Sequence, residues 1–240
     1  MSSQYIQHLK SSFLFQTLSE ESADSFLQNS RLTNYDNDHA IYDVGDTPES
    51  VYFVVSGSVK LEVPMPDGEI MFMGVMPMYT LFGEHEALCS THSVARIAAV
   101  GASEILVIPK TNFLRLFKAE ASFSQALAQQ LAMSMRMMCL AAAHHFNSSA
   151  EKKLASLLIH LANRVGDDSG EHVKIALKLS QDELAHMMSS TRQTVNKYLK
   201  AWKDQGWIDI HQGMIEIKQV SKLQALTSEE LINEFGLMGA

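Results

Sequence analysis

Cysteine is scarce in this 240-residue chain. Cys89 and Cys139 are the only two, they form no CxxC pair, and a disulfide framework is out of reach. That usage fits a reducing compartment and points to the cytoplasm. Charge is thin as well, at 19% of residues, but 46% are apolar and 8% aromatic, so the shortage does not mark a disordered or low-complexity chain. The opening Met-Ser-Ser-Gln-Tyr-Ile-Gln-His lacks a basic region followed by an apolar run, which speaks against a secretory signal. No HExxH, Gly-rich phosphate loop, nucleophile elbow or Ser-His-Asp order occurs, so no enzyme is expected.

One stretch imitates a membrane span. From Ala121 to Ala150 the only formal charge is Arg136. Gln125, Gln129, Gln130, Ser134, His144 and His145 interrupt it, and Arg136 sits near its middle, where a charge costs about 2.5–3.5 kcal/mol even on lenient scales. A buried helix is the better reading, and no membrane partner is expected.

The length suits one large or two ordinary domains. The net charge of −8 argues at first against a nucleic-acid partner, but it is unevenly spread. Residues 1–149 carry 8 basic and 15 acidic side chains, residues 150–222 carry 11 and 9, and residues 223–240 carry 3 acidic ones and no basic one. The least acidic part lies near the C-terminus.

Pattern divides the chain further. Ser19 can cap a helix with Glu20 and Glu21 in its first turn and Ala23, Phe26 and Leu27 on its apolar side. From Arg31 the period shortens. Val51 to Val55 is a β-branched and aromatic run, Val59-Lys60-Leu61-Glu62-Val63 alternates, and Ser56-Gly57-Ser58 between them reads as a hairpin. Further turn signals at Val44-Gly45-Asp46, Pro66-Asp67-Gly68 and Gly101-Ala102 make residues 31–109 one antiparallel β-domain of the sandwich or jelly-roll kind.

Beyond Pro109 the helical period takes over, with a short helix near 110–118 and a long one from Ser122 to Phe146. Leu127, Leu131, Ser134, Met138, Ala141 and His145 form a heptad-like seam on the long helix. A homodimer is the simplest cover for it, and burial within one chain is the alternative. Leu154, Leu157, Leu158 and Leu161 line a further helix, Asp167-Asp168-Ser169-Gly170 reads as a turn, and Val173 to Leu177 as a strand. Ser180-Gln181-Asp182-Glu183 is a capping box that opens a helix ending near Met188. Ser189-Ser190-Thr191 leads at once into a second helix, stopped by Gly206, and two helices joined so tightly match a helix-turn-helix.

Val195, Leu199 and Trp202 make the buried side of that second helix, leaving Arg192, Gln193, Asn196, Lys197 and Lys200 on a polar, cationic face suited to base edges. Trp207 to Ile210 and Met214 to Ile217 flank His211-Gln212-Gly213 as a hairpin wing. Double-stranded DNA is therefore the expected partner. Plain solvation of a polar face is the competing reading; capping box, turn, cationic face and wing in sequence weigh against it.

The whole order, β-roll, long helix and winged helix-turn-helix, resembles the cyclic-AMP receptor/fumarate-nitrate regulator (Crp/Fnr) family of bacterial transcription factors. The likeness spans about residues 13–220 and is carried by Val51 to Val59, Leu81-Phe82-Gly83-Glu84, and Leu179 to Ala185 continuing to Thr191-Arg192-Gln193-Thr194-Val195-Asn196-Lys197. It implies an α+β chain: an effector-sensing β-roll with flanking helices over 1–120, a dimerisation helix over 121–148, a winged helix-turn-helix over 149–222, and a tail over 223–240 in which Ser228-Glu229-Glu230 opens a short helix. It further implies a homodimer on a pseudo-palindromic operator, RNA polymerase as a partner, base reading by Arg192, Gln193 and Lys197, and phosphate contacts from Ser180, Gln181, Thr191 and Thr194. Family members often carry Glu and Arg where Gln193 and Lys197 stand, so another half-site is expected. Ser189 stands where a turn glycine is customary.

In cyclic-AMP-binding relatives an Arg-Ser pair after Phe-Gly-Glu neutralises the phosphate, and the Glu takes the ribose hydroxyl. Here Gly83 and Glu84 are kept while the pair becomes His92-Ser93, and Met138 and Cys139 occupy the hydroxyl positions of the long helix. A neutral imidazole cannot replace a bidentate guanidinium, so these six residues outline an effector site for a small molecule other than cyclic AMP. Met71, Met73, Met76 and Met78 are natural fillers. No cysteine precedes Cys89, which speaks against an iron-sulfur cluster; haem or metal stays open through the spacing of His85, Cys89 and His92 and through His144-His145. The alternatives are a cyclic-AMP regulator with a degenerate phosphate site, a haem- or metal-based gas or redox sensor, an enzyme with an appended DNA-binding domain, and a ligand-binding module that has lost DNA contact.

Overall fold

The computed structural model describes residues 2–65, 68, 70–147, 149–168, 172–188 and 190–227. It comprises two compact units, residues 1–63 with 74–135 and residues 64–73 with 136–240. The first unit opens with α1 (Ser2–Lys10), a 3-10 turn (Phe13–Phe15) and α2 (Glu20–Leu27). Ser19 caps α2, its Oγ accepting from Ser22 N at 3.1 Å, as its position before two acidic residues predicts.

Six strands follow: β1 (Arg31–Tyr35), β2 (Ala40–Tyr42), β3 (Ser50–Pro64), β4 (Ile70–Pro77), β5 (Leu81–Phe82) and β6 (Arg96–Pro109), with α3 (Glu84–Cys89) between the last two. They form one sheet in the order β1-β6-β3-β4, with β2 also on β6 and β5 on β3. The run Val51 to Val55 has no polar alternation because both faces of β3 are covered. Val51, Phe53 and Val55 meet Leu106 and Ile108 of β6 and the helices, around Phe15, Phe26, Phe113 and Phe123. Tyr52 and Val54 face the other way, with Tyr42, Phe82, Ile97, Ile105 and Val107.

Two expected turns are not turns. Ser56-Gly57-Ser58 lies inside β3, because the residues on both sides of it pair with β6: Val51 with Ile108, and Val59 with Ala99. Gly101-Ala102 likewise lies inside β6. The register shifts between Val54 and Ser58, so the glycines serve a β-bulge rather than a reversal. Gly57 has φ +77, and a β-carbon there would stand 2.7 Å from Ala102 O, so only glycine fits.

Two helices follow, α4 (Lys110–Ala119) and α5 (Ala121–Asn147), and the division between the two units falls within α5, after Met135. Asn112 on α4 is buried and donates to Phe26 O at 3.0 Å and Gln28 O at 2.6 Å, satisfying carbonyls that α2 leaves free at its C-terminal end. On α5, Phe123 and Leu127 are buried in the core, while Met133, Met135 and Met138 are exposed. Along the seam predicted there, Leu127 is buried, Leu131 and Ser134 are half-buried and Met138 is exposed. The side chains of Ala141, His144 and His145 lie outside the described residues.

The second unit packs α6 (Ala150–Val165), α7 (Gln181–Met187), α8 (Arg192–Asp204) and α9 (Val220–Gln224) with β7 (Gly166–Asp168), β8 (Val173–Lys178), β9 (Ile208–His211) and β10 (Met214–Ile217), in the strand order β7-β8-β10-β9. Leu154, Leu158 and Leu161 are buried, as their spacing predicts. Asp167 and Asp168 do not turn: they pair with Lys174 and Val173 as strand residues. Ser169, Gly170, Ser189 and the expected helix at Ser228–Glu230 fall outside the described residues. Among the described residues no helix is long and apolar enough to cross a membrane.

Candidate nucleic-acid interface and effector pocket

The helix pair α7 and α8 is set by caps at both starts. Ser180 Oγ accepts from Glu183 N at 3.1 Å while Glu183 Oε2 accepts from Ser180 N at 2.7 Å, completing the capping box. Thr191 Oγ1 accepts from Thr194 N at 3.2 Å and lies 2.9 Å from Thr194 Oγ1. Because a capping hydroxyl accepts, the O–H of Ser180 remains able to donate outward.

Val195, Leu199 and Trp202 are all buried, which fixes the rotation of α8. Arg192, Gln193, Asn196, Lys197 and Lys200 are consequently exposed on its opposite face. Lys197 Nζ stands 5.2 Å from the Tyr198 ring centroid. Trp202 stacks on Trp207 at 6.5 Å, and Trp207 O accepts from Lys218 N at 2.8 Å, tying the end of α8 to the strand pair that follows. That pair reverses through Gln212 and Gly213, both at positive φ (53 and 82), as a two-residue hairpin requires.

Three features of this surface were not read from sequence. Gln181 Nε2 donates to Asn196 Oδ1 at 3.2 Å. Arg192 Nη1 lies 3.3 Å from Asp182 Oδ2. Asp209 accepts from Ile210 N and is ringed by Lys203, Lys218 and His211 at 3.2, 3.2 and 3.0 Å. The Ile210 amide and then the lysines hold the Asp209 carboxyl well below the usual carboxylate range. Only the two α7–α8 pairs had a possible signal, in the polar first turn of α7.

In the β-roll, Gly83 has φ +83 and a β-carbon there would meet Tyr52 Cδ2 at 3.0 Å. Its left-handed turn starts α3 and drives Glu84 inward, to 5% exposure. Glu84 Oε1 contacts His85 Nδ1 at 3.0 Å, which raises the His85 pKa, while the buried Oε2 has no hydrogen-bond partner among the described residues. Glu86, two residues on, is buried too. Beside them Tyr52 and Phe82 stack with centroids 5.1 Å apart, Tyr42 lies tilted against both, and burial pushes the Tyr52 hydroxyl up to about 12 and the Tyr42 hydroxyl higher still.

The remaining expected effector residues are placed differently. His92 is exposed and its Nδ1 lies 3.1 Å from Gly45 O. Ser93 is buried, with its hydroxyl donating to Ala95 O at 2.9 Å. Met138 and Cys139 belong to the second unit and are exposed. Of the proposed methionine fillers only Met76 packs against the Tyr42–Tyr52–Phe82 cluster; Met73 and Met78 are exposed. Among the described residues no three His, Cys, Asp or Glu side chains converge, so the spacing of His85, Cys89 and His92 does not become a ligand set.

Residues 32–120 match the model of the cyclic nucleotide-binding domain, and residues 152–226 match that of the Crp-like helix-turn-helix domain. The chain belongs to the Crp/Fnr family. It is a DNA-binding transcription regulator of that family with an effector-binding domain. Over 214 residues it is 25% identical to the CRP-like cAMP-activated global transcriptional regulator of Mycobacterium tuberculosis, covering 88% of this chain and 94% of that one. Over 188 residues it is 27% identical to the global nitrogen regulator of a Nostoc species, covering 76% and 83%. In fold it is similar to FixK2 from Bradyrhizobium japonicum (TM-score 0.71, 19% identity, 83% of this chain and 98% of that one). It is similarly close to the c-di-GMP responsive global regulator CLP from Xanthomonas campestris (TM-score 0.68, 18% identity, 83% and 99%).

Proposed function

We propose that this Crp/Fnr chain works in the cytoplasm as a homodimer that binds a pseudo-palindromic operator and answers to a small molecule other than cyclic AMP. The observation that carries it is the exposed face of α8, where Arg192, Gln193 and Lys197 are projected by a helix whose other side is locked by Val195, Leu199 and Trp202. Those three side chains read bases, and Ser180, Thr191 and Thr194 hold phosphates, with Gln181 beside them at the first position of α7. Residues 149–222 bind DNA, residues 1–120 sense the effector, and residues 121–148 pair with a second copy through the seam that includes Leu131, Ser134 and Met138. Two-fold symmetry puts the half-sites roughly 34 Å apart. RNA polymerase is the downstream partner, and the chain has no catalytic activity of its own.

The effector reading rests on charge. Gly83, Glu84, His92 and Ser93 outline the site within the β-roll, in which Glu84 and Glu86 are buried carboxylates and His92 is turned to Gly45 O. An anionic cyclic phosphate brought there meets negative charge without a guanidinium. Glu84 Oε2, which has no hydrogen-bond partner among the described residues, suits a ligand bearing a hydroxyl or amine donor; a ribose hydroxyl meets that as well, so the case against cyclic AMP rests on His92 standing where a guanidinium would.

The test is fluorescence anisotropy on fragments of the source genome, over a salt series, with and without cyclic AMP. Sequence-specific binding indifferent to the nucleotide supports the proposal. Binding that requires cyclic AMP overturns its effector half, and the absence of specific, salt-dependent binding overturns the whole.

A further inference from the structure

Gln181, grouped above with the phosphate contacts, has a side chain already engaged elsewhere. Its Nε2 donates to Asn196 Oδ1 at 3.2 Å, a bond between the first residue of α7 and the middle of α8. Asn196 is exposed and lies one helical turn from Arg192 and one from Lys200, so it stands in the row of side chains that faces DNA.

We propose that Asn196 reads an adenine in each half-site and that Gln181 is its positioning residue. This rests on the DNA-binding reading above. An amide carries an oxygen with two lone pairs and a nitrogen with two hydrogens. With one lone pair of Oδ1 taken by Gln181, Asn196 keeps the second lone pair and both hydrogens. Reversing both amides reverses the bond and still leaves Asn196 a free lone pair and a free N–H, so the inference does not depend on how the amides are assigned.

A side chain that offers one acceptor beside one donor matches a single base in the major groove. Adenine presents N7 as acceptor next to the N6 donor, whereas guanine presents two acceptors, cytosine one donor, and thymine one acceptor and a methyl group. An unheld asparagine on an exposed helix face rotates about χ2 and must lose that freedom on binding. Gln181 removes it beforehand, and fixing a reading group before contact is what sharpens selection.

The experiment is selection from a random DNA pool with the full-length chain, followed by anisotropy on probes that differ at the selected base pair. Four proteins are compared: wild type, N196A, Q181A and the double variant. The wild type should select an A·T pair in each half-site that N196A relaxes about tenfold or more, the discrimination typical of a bidentate base contact. Q181A should relax the same pair and no other, and the double variant should lose no more than N196A alone, since both act through one contact. If Q181A instead weakens all sequences alike and lowers the salt slope, Gln181 is a phosphate contact and the inference fails while the regulator stands. Unchanged base preference in N196A overturns it equally. A wild type that enriches no sequence overturns the DNA-binding reading itself.

Discussion

Asp182 faces two opposing demands, and their sizes decide what its removal does. Its carboxylate stands 3.3 Å from Arg192 Nη1, with the two side chains 59% and 65% exposed. An exposed pair of this kind is worth about 0.2–1 kcal/mol, while Arg192 placed bidentate on guanine is worth about 1–3 kcal/mol. DNA should therefore win Arg192 from Asp182, at a cost set by the weaker interaction. Asp182→Ala removes that cost and also a negative charge near the phosphates, and both effects have the same sign. Operator affinity should rise about two- to tenfold at low salt, with the gain shrinking as salt increases. Stability should move the other way. Asp182 lies in the first turn of α7, where an acid favours the helix by about 0.3–1 kcal/mol, so urea unfolding should shift slightly toward lower denaturant. Anisotropy titrations across salt, paired with urea melts, measure both. A weakened operator affinity in D182A would refute the reasoning, because it would mean that Asp182 orients Arg192 for reading instead of competing for it.

Asn112→Asp deprives Phe26 O and Gln28 O of both donors and sets a carboxylate against them, so urea unfolding should report a loss of about 3 kcal/mol or more; an unchanged midpoint would show that these carbonyls find other partners. His160, whose ring nitrogens are both buried, has its pKa lowered to about 4 by burial and then by Arg164. Its unfolded form takes up a proton near pH 6.5 and its folded form only near 4. Stability is therefore complete above pH 6.5 and falls between those values, by about 3 kcal/mol in all. Subtracting the pH profile of H160Q from that of the wild type isolates this slope, and a flat difference sinks it. Met135 and Met138 are 69% and 57% exposed on α5, so the double substitution by Lys should convert the proposed dimer to monomer in sedimentation equilibrium; a dimer of unchanged strength would place the interface elsewhere.

The helix-turn-helix was legible because its determinants are local. Ser180 and Glu183 are three residues apart, Thr191 and Thr194 likewise, and the apolar triplet Val195, Leu199 and Trp202 repeats at helical spacing, so neighbours in sequence supply each other's caps and buried side. The charged strand 59–63 and the wing were legible for the same reason, through short-period alternation and turn chemistry. What failed was local grammar applied to a long strand. Ser56-Gly57-Ser58 looks like a hairpin to any window of ten residues, and only the pairing of β3 with β6 along most of their lengths turns it into a bulge.

Sequence by itself therefore determined the division into a β-rich part and helices, the capped starts of α2, α7 and α8, and the cationic face of α8, because these follow from propensity, capping and period. Tertiary structure alone decided which polar groups answer one another across the chain. Asn112 meets carbonyls 86 and 84 residues away, and Gln181 meets Asn196 across the turn. Glu84 is buried because Gly83 turns left-handed against Tyr52 of another strand. Such partnerships depend on packing between distant segments, and no periodicity along the chain encodes them.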